Sequence, residues 1–145
     1  MKDSEIYSLI EERLASGRNA ELIVTGNSMA PLFANGITRV TLAPCGKKLS
    51  KYSIALYKRE SGTVVLHRYV GKHGDLLCFR GDNESYTEKN IKASNVCGVA
   101  VNAVTNNKTV KLLGAKQLLY GLRISFIYHI KRLGRAFKRR LTRKK

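Results

Sequence analysis

The spacing of hydrophobic residues changes along the chain and divides it into three parts. A helix over residues 4–16 is predicted by apolar positions three or four residues apart, at Ile6, Leu9, Ile10 and Leu14. From about residue 22 to residue 113, β-branched and aromatic residues are broken by Gly, Asn and Ser, which is typical of short strands. The predicted strands are 22–25, 37–42, 54–59, 63–70, 76–79, 96–104 and 109–112. We therefore expect a mainly β fold.

The C-terminal region returns to helical spacing. Its apolar residues lie on one predicted stripe, formed by Leu119, Leu122, Phe126, Ile130, Leu133, Phe137 and Leu141. A separate basic face holds Arg132, Arg135 and Arg139. We therefore divide the chain into an N-terminal helix (1–20), a β domain (21–112) and a basic amphipathic helical tail (113–145).

Charge is concentrated in this tail. The net charge is +17, and residues 108–145 hold 13 of the 27 basic residues and none of the 10 acidic ones. A basic amphipathic helix suits the surface of an anionic membrane. The alternatives are a helix docked on its own domain or a partner, and a phosphate-binding arm. Nucleic acid is the least favoured partner, because no recognised binding motif accompanies the charge.

Cysteine usage and hydropathy bear on location. Cys45, Cys78 and Cys97 are odd in number and far apart, so neither a zinc site nor a redox pair is predicted and a reducing compartment is favoured. Charged residues are spread through the first twenty positions, where a signal peptide would have an apolar segment. The longest uncharged run of the tail, residues 124–130, is much shorter than the roughly 20 residues of a transmembrane helix. We expect a cytoplasmic protein, peripheral to the inner membrane face.

Candidate chemistry begins in residues 25–33, after the first predicted strand. Gly26 and Asn27 favour a turn that leaves Ser28 at its mouth, and Pro31 restricts the backbone that follows. A hydroxyl held on a stiff turn is suited to nucleophilic attack. The alternative is an ordinary surface turn, since these residue types dominate turns.

A histidine and an acidic turn follow at intervals. On the strand 63–70, the period-two rule places His67 on one face with Val65 and Tyr69. It is either a general base or a hydrogen-bonded structural histidine. Asp82 follows Gly81 after the next strand and could orient an imidazole, or could cap its own turn.

Taken together, these segments resemble the superfamily of type I signal peptidases and LexA-like serine peptidases. The likeness covers roughly residues 21–104 and rests on Gly-Asn-Ser-Met-Ala-Pro (26–31), Ile-Ala-Leu-Tyr-Lys-Arg (54–59), Val-Val-Leu-His-Arg-Tyr-Val-Gly (64–71) and Phe-Arg-Gly-Asp-Asn (79–83). His67 stands at the position where bacterial signal peptidases have a lysine. In this respect the sequence resembles the endoplasmic-reticulum and archaeal branch, which has a histidine there.

The resemblance implies a β domain that cleaves extended peptides, with Ser28 as nucleophile and His67 as general base. The branch's second aspartate corresponds to Glu88, so either Asp82 or Glu88 is the orienting acid, and Asp82 is preferred. The backbone amide of Ser28 is the natural oxyanion donor. Neither a metal nor a cofactor is expected.

The sequence departs from the family pattern in three places, and one of them changes the expected function. Gly26 stands where many signal peptidases have a serine that assists the oxyanion, and Tyr52-Ser53 replaces a Gly-Asp pair. The family's N-terminal membrane anchor is also not seen, which favours cleavage of a small precursor or leader peptide over cleavage of secretory precursors. The alternative function is a non-catalytic basic module of the same fold that holds membrane, peptide or nucleic acid.

Overall fold

A computed structural model describes residues 3–46 and 48–142 and contains two α-helices around one antiparallel sheet. Helix α1 spans Asp3–Ala15 and helix α2 spans Ala115–Thr142. The strands are β1 (Ala20–Ile23), β2 (Arg39–Pro44), β3 (Ile54–Lys58), β4 (Val64–His73), β5 (Leu76–Arg80), β6 (Glu88–Ile91), β7 (Val96–Thr105) and β8 (Lys108–Lys111). The mainly β prediction with a short N-terminal and a C-terminal helix is confirmed.

Strand order in the sheet is β1-β2-β7-β3-β4-β5-β6, and β8 pairs with β7. Every pairing is antiparallel. Because β4 lies between β3 and β5, side chains of both neighbouring strands lie beside His67 on its face of the sheet.

The central strand β3 is buried on both faces and separates two apolar clusters. Ile54 and Leu56 belong to the larger cluster, which α1 covers with Ile10 and Leu14. Ala55 and Tyr57 belong to the smaller one, with Tyr69, Leu77, Phe79 and Ile91. On β4, Val64 and Leu66 pack against the first cluster and Val65 and Tyr69 against the second, which confirms the predicted alternation.

The first half of α2 packs on the sheet. Gln117 and Gly121 are buried, and Arg80 lies 3.7 Å from the centre of the Tyr128 ring while donating a hydrogen bond to Ser125. Residues 129–140 are exposed. The last three residues of the predicted tail and the side chain of Leu141 lie outside the described part of the chain.

The apolar stripe of α2 faces away from the sheet. Its described members are all exposed: Leu119, Leu122, Phe126, Ile130, Leu133 and Phe137. Although α2 is 28 residues long, neither described helix has the sustained hydropathy that crossing a bilayer requires.

Strand β6 was not predicted. Its sequence, Glu-Lys-Asn-Ile, has one β-branched residue and no aromatic one. The strand forms because Glu88 and Ile91 are both buried against β5, with the two polar residues between them exposed. Tertiary packing outweighs local preference here.

Candidate active site

Ser28 lies half-buried in the turn that follows β1. The turn is closed by a hydrogen bond from the Ala30 N–H to the Asn27 carbonyl at 3.1 Å. The Ser28 backbone N–H donates none of the hydrogen bonds found between described residues. The predicted nucleophile therefore stands on an ordered turn with an amide donor available.

A second loop, residues 81–84, fastens this turn. The Asn83 N–H donates to the Ser28 carbonyl at 2.8 Å, and the Asn83 side-chain amide donates to the Asn27 carbonyl at 3.3 Å. A Cβ on Gly81 would lie 2.6 Å from the Ser28 carbonyl oxygen, so only glycine allows this approach. We call residues 81–84 the clamp loop.

His67 lies on β4 opposite Ala55 of β3, with 2% of its surface exposed. Its ring is held from the Nδ1 side by a buried network. The Tyr57 hydroxyl is 3.1 Å from Nδ1 and donates to Glu88 Oε1 at 2.8 Å, while Glu88 Oε1 is itself 3.5 Å from Nδ1. Arg59 donates two further hydrogen bonds to the Glu88 carboxylate, at 2.9 and 2.6 Å.

This network fixes the tautomer of His67. An ionised carboxylate can only accept, so Tyr57 gives its single hydroxyl proton to Glu88. The Tyr57 oxygen must then accept from His67, which places the imidazole proton on Nδ1. The lone pair is left on Nε2, as a general base requires.

The pKa shifts agree with these protonation states. Burial lowers the pKa of His67 below its ordinary value and outweighs the opposing charges of Glu84 and Glu88, so the ring is neutral at pH 7. Burial raises the pKa of Glu88, but hydrogen bonds from Arg59 and Tyr57 outweigh it and leave that pKa below its ordinary value. Burial and the hydrogen bond to Glu88 raise the pKa of Tyr57.

Asp82 does not contact His67, contrary to our preference for it as the orienting acid. Its carboxylate accepts two hydrogen bonds from Arg68, at 2.7 and 2.6 Å, and both side chains are about 1% exposed. A buried guanidinium needs such a partner, because an unpaired buried charge is strongly destabilising. The carboxylate that lies against the imidazole on its Nδ1 side is that of Glu88, 3.5 Å away.

Glu84 contacts the other side of the imidazole. Its Oε2 is 3.8 Å from His67 Nε2, and its side chain is about one-third exposed. Among the described residues, Ser28 Oγ and His67 share no hydrogen bond, and the clamp loop is what connects them. The structure thus brings His67 and Glu88 together, and the clamp loop joins the Ser28 turn to Glu84 on the other side of the imidazole.

Four residues at this site were not predicted from the sequence: Tyr57, Arg59, Arg68 and Glu84. Tyr57 was detectable, because β3 pairs with β4 and the period-two rule puts it on the face of His67. Arg59 depends on β6, which was not predicted, whereas Arg68 and Glu84 depend on the path of the loop between β5 and β6. Within the described residues, no group of three or more His, Cys, Asp or Glu side chains is arranged to hold a metal ion.

A small cavity of about 110 Å³ adjoins Ser28. Its walls are mostly apolar and include Met29, Leu56, Val64 and Leu66. The site therefore combines a hydroxyl, a neutral imidazole with a free Nε2, a buried carboxylate and an apolar recess.

Comparison with known proteins does not assign the chain to a family: no family model matches it, and no curated protein does.

Proposed function

We propose that this protein is a serine endopeptidase of the signal-peptidase type, cleaving an extended precursor or leader peptide. The observation that carries the proposal is the Glu88–Tyr57–His67 network, which leaves Nε2 unprotonated on a neutral ring. The clamp loop adds support, because it holds the Ser28 carbonyl through Asn83 and places Glu84 against the His67 ring.

In the proposed reaction, substrate binding brings Ser28 Oγ into hydrogen-bond reach of His67 Nε2, since catalytic hydrogen bonds tighten in the substrate complex. Oγ attacks the scissile carbonyl while Nε2 takes its proton. The carbonyl oxygen becomes an oxyanion that the Ser28 N–H stabilises. The imidazolium then protonates the leaving amine as the C–N bond breaks, and water releases the acyl group by the same steps.

Glu88 supports this cycle by stabilising the imidazolium that forms on His67. Arg59 keeps Glu88 ionised and in place. The apolar recess beside Ser28 suits a small apolar side chain next to the scissile bond.

The test is reaction with a fluorophosphonate probe, read by intact mass and peptide mapping. We expect one adduct, on Ser28, and none in Ser28→Ala. His67→Gln should slow labelling about 10²–10⁴-fold, the usual contribution of a general base. Ser61→Ala, an exposed turn serine, is the control and should label at the wild-type rate. Labelling that survives His67→Gln unchanged would remove the proposed base.

We further propose that α2 binds the surface of an anionic membrane, placing the protein at the inner face. Its exposed apolar stripe has no partner among the described residues, and α2 contains no acidic residue. Pairing two such helices through their stripes would oppose like charges with nothing to compensate them. An anionic lipid surface meets both features at once.

Nucleic acid is a weaker candidate for the same helix. Base stacking needs aromatic rings among the basic residues. Here Phe126 and Phe137 lie on the apolar stripe, and the Tyr128 ring already stacks on Arg80. The non-catalytic alternative, a basic binding module of this fold, retains the membrane contact and differs in giving no Ser28 adduct.

A further inference from the structure

A cleft separates the clamp loop from helix α2. It has a volume of about 140 Å³, and its walls include Asn83, Glu84, Tyr128, Lys131 and Arg135. The clamp loop links the cleft to the reacting groups, since Asn83 holds the Ser28 carbonyl and Glu84 lies beside His67 Nε2. A peptide bound at Ser28 can therefore extend into it.

The helix wall of the cleft is positively charged. Lys131 and Arg135 are four residues apart, so they lie on the same face of α2. Neither takes part in an ion pair between described residues. Of the two carboxylates in the wall, Asp82 is paired with Arg68, and Glu84 lies against His67 on the clamp-loop side.

This basic pair faces away from the proposed membrane. Arg135 follows Phe126 by nine residues, or two and a half turns, which puts the two on opposite sides of the helix. A helix resting on lipid through its apolar stripe directs Lys131 and Arg135 towards the domain. In that orientation the two residues are turned away from the lipid headgroups.

We propose that Lys131 and Arg135 recognise an acidic side chain of the peptide substrate, at one position flanking the scissile bond. This specificity rests on the proposed peptidase function. A carboxylate between the two cations gains charge-assisted hydrogen bonds that an amide of the same shape does not.

The test uses Ser28→Ala protein and rhodamine-labelled peptides of Ala, Val and Gly in which a single Asp is moved along the chain. Each peptide is matched by one with Asn at that position, and binding is measured by fluorescence anisotropy. We expect Asp to bind roughly five- to tenfold tighter than Asn at one position, as for a partly exposed ion pair or two. Lys131→Glu with Arg135→Glu should abolish this preference and favour Lys in place of Asp.

The matched control is Lys138→Glu with Arg139→Glu, which makes the same charge change further along α2. It should keep the Asp preference. An equal loss in both double variants would mean long-range attraction only, and the proposal fails. It also fails if no position prefers Asp. It fails as well if Lys131→Glu with Arg135→Glu weakens binding to phosphatidylglycerol vesicles but leaves the preference for Asp peptides unchanged.

Fluorophosphonate labelling separates this inference from the proposed function. The probe carries no peptide side chain, so its reaction with Ser28 of the wild-type protein tests the proposed function without involving the cleft. Normal labelling without an Asp preference overturns the specificity alone, whereas wild-type protein that does not label overturns the peptidase.

Discussion

At the scale of single residues, His67 is placed between two carboxylates that differ in exposure. Glu88 is buried and hydrogen-bonded through Tyr57, while Glu84 is partly in solvent and faces Nε2. Both raise the pKa of His67, and burial lowers it by more. The proposed base is therefore neutral at physiological pH, but its pKa responds to either neighbour.

This balance predicts the pH dependence of Ser28 labelling. Only neutral His67 accepts a proton, so the rate should rise with pH through the His67 pKa, below the ordinary value of about 6.5, and then level off. Glu84→Gln removes a charge that raises that pKa, so the rising limb should move to lower pH. The measurement is the labelling rate between about pH 4 and 8. A limb that stays in place, or moves to higher pH, would contradict the contact between Glu84 and His67.

The orienting contact gives a second prediction. Glu88→Gln should slow labelling at least about tenfold, because the neutral amide no longer stabilises the imidazolium. Asp82→Asn removes a carboxylate that does not contact His67, and at equal folded fraction it should slow labelling less. A labelling rate that depends more on Asp82 than on Glu88 would return the orienting role to Asp82.

Sequence reasoning at this scale placed some residues and not others. Turn chemistry and strand alternation are local properties, and they predicted the turn at Ser28 and the face of β4 that carries His67; the catalytic roles of both residues came from the resemblance to a peptidase family and stay predictions. Which of Asp82 and Glu88 contacts His67 could not be predicted from local sequence. It depends on the ion pair between Arg68 and Asp82 and on strand β6, which places Glu88 against the His67 ring. A buried charged side chain pairs with the group that the fold places next to it, which can be far away in the sequence.

At the scale of elements, two glycines of α2 have opposite surroundings. A Cβ on Gly121 would collide with the Tyr52 side chain at its Cβ, whereas a Cβ on Gly134 meets nothing within 4 Å. Gly121 is therefore needed for the helix to approach the sheet. Gly134 contributes only its poor helix propensity.

Alanine substitution should separate these roles. Gly134→Ala should raise the free energy of unfolding by about 0.5–1 kcal/mol, because alanine has the higher helix propensity. Gly121→Ala gains the same propensity but should be destabilising by about 1–3 kcal/mol, from overpacking. Urea unfolding followed by circular dichroism measures both. Equal effects from the two changes would show that α2 does not pack on Tyr52.

Element prediction succeeded where one physical signal dominated. The amphipathic pattern gave both helices, and β-branched density gave the long strands. The face of α2 that packs on the sheet was not predicted, because it uses Gly, Ser and Tyr rather than the apolar stripe. Close approach and cation–π stacking leave little trace in hydropathy.

At the scale of the whole molecule, charge and apolar surface are divided between two bodies. The sheet holds the candidate catalytic groups, and α2 holds the exposed apolar stripe with an excess of basic residues. The charge division is already visible in the sequence, since acidic residues end at Glu88. It could not show that the helix rests on the sheet by its opposite face.

Membrane binding by α2 is testable without removing the helix. Phe126→Ser with Leu133→Ser should strongly reduce sedimentation with phosphatidylglycerol vesicles, because each buried apolar side chain contributes about 1.5–3 kcal/mol. Both residues are exposed, so unfolding should be unchanged. Raising the salt concentration should also weaken vesicle binding by the wild-type protein, because salt screens the attraction between basic residues and anionic lipid. Undiminished sedimentation of the double variant would rule out the stripe as the lipid contact.

The outward orientation of the stripe determines how far from lipid the chemistry would take place. A helix is about 10 Å across, so a sheet carried on its upper side stands that far above the bilayer. An extended chain covers about 3.3 Å per residue, and some three residues would be needed to span the gap. Peptides tethered to the bilayer would then be cut only where the bond stands clear of the headgroups, and shortening the tether would protect them.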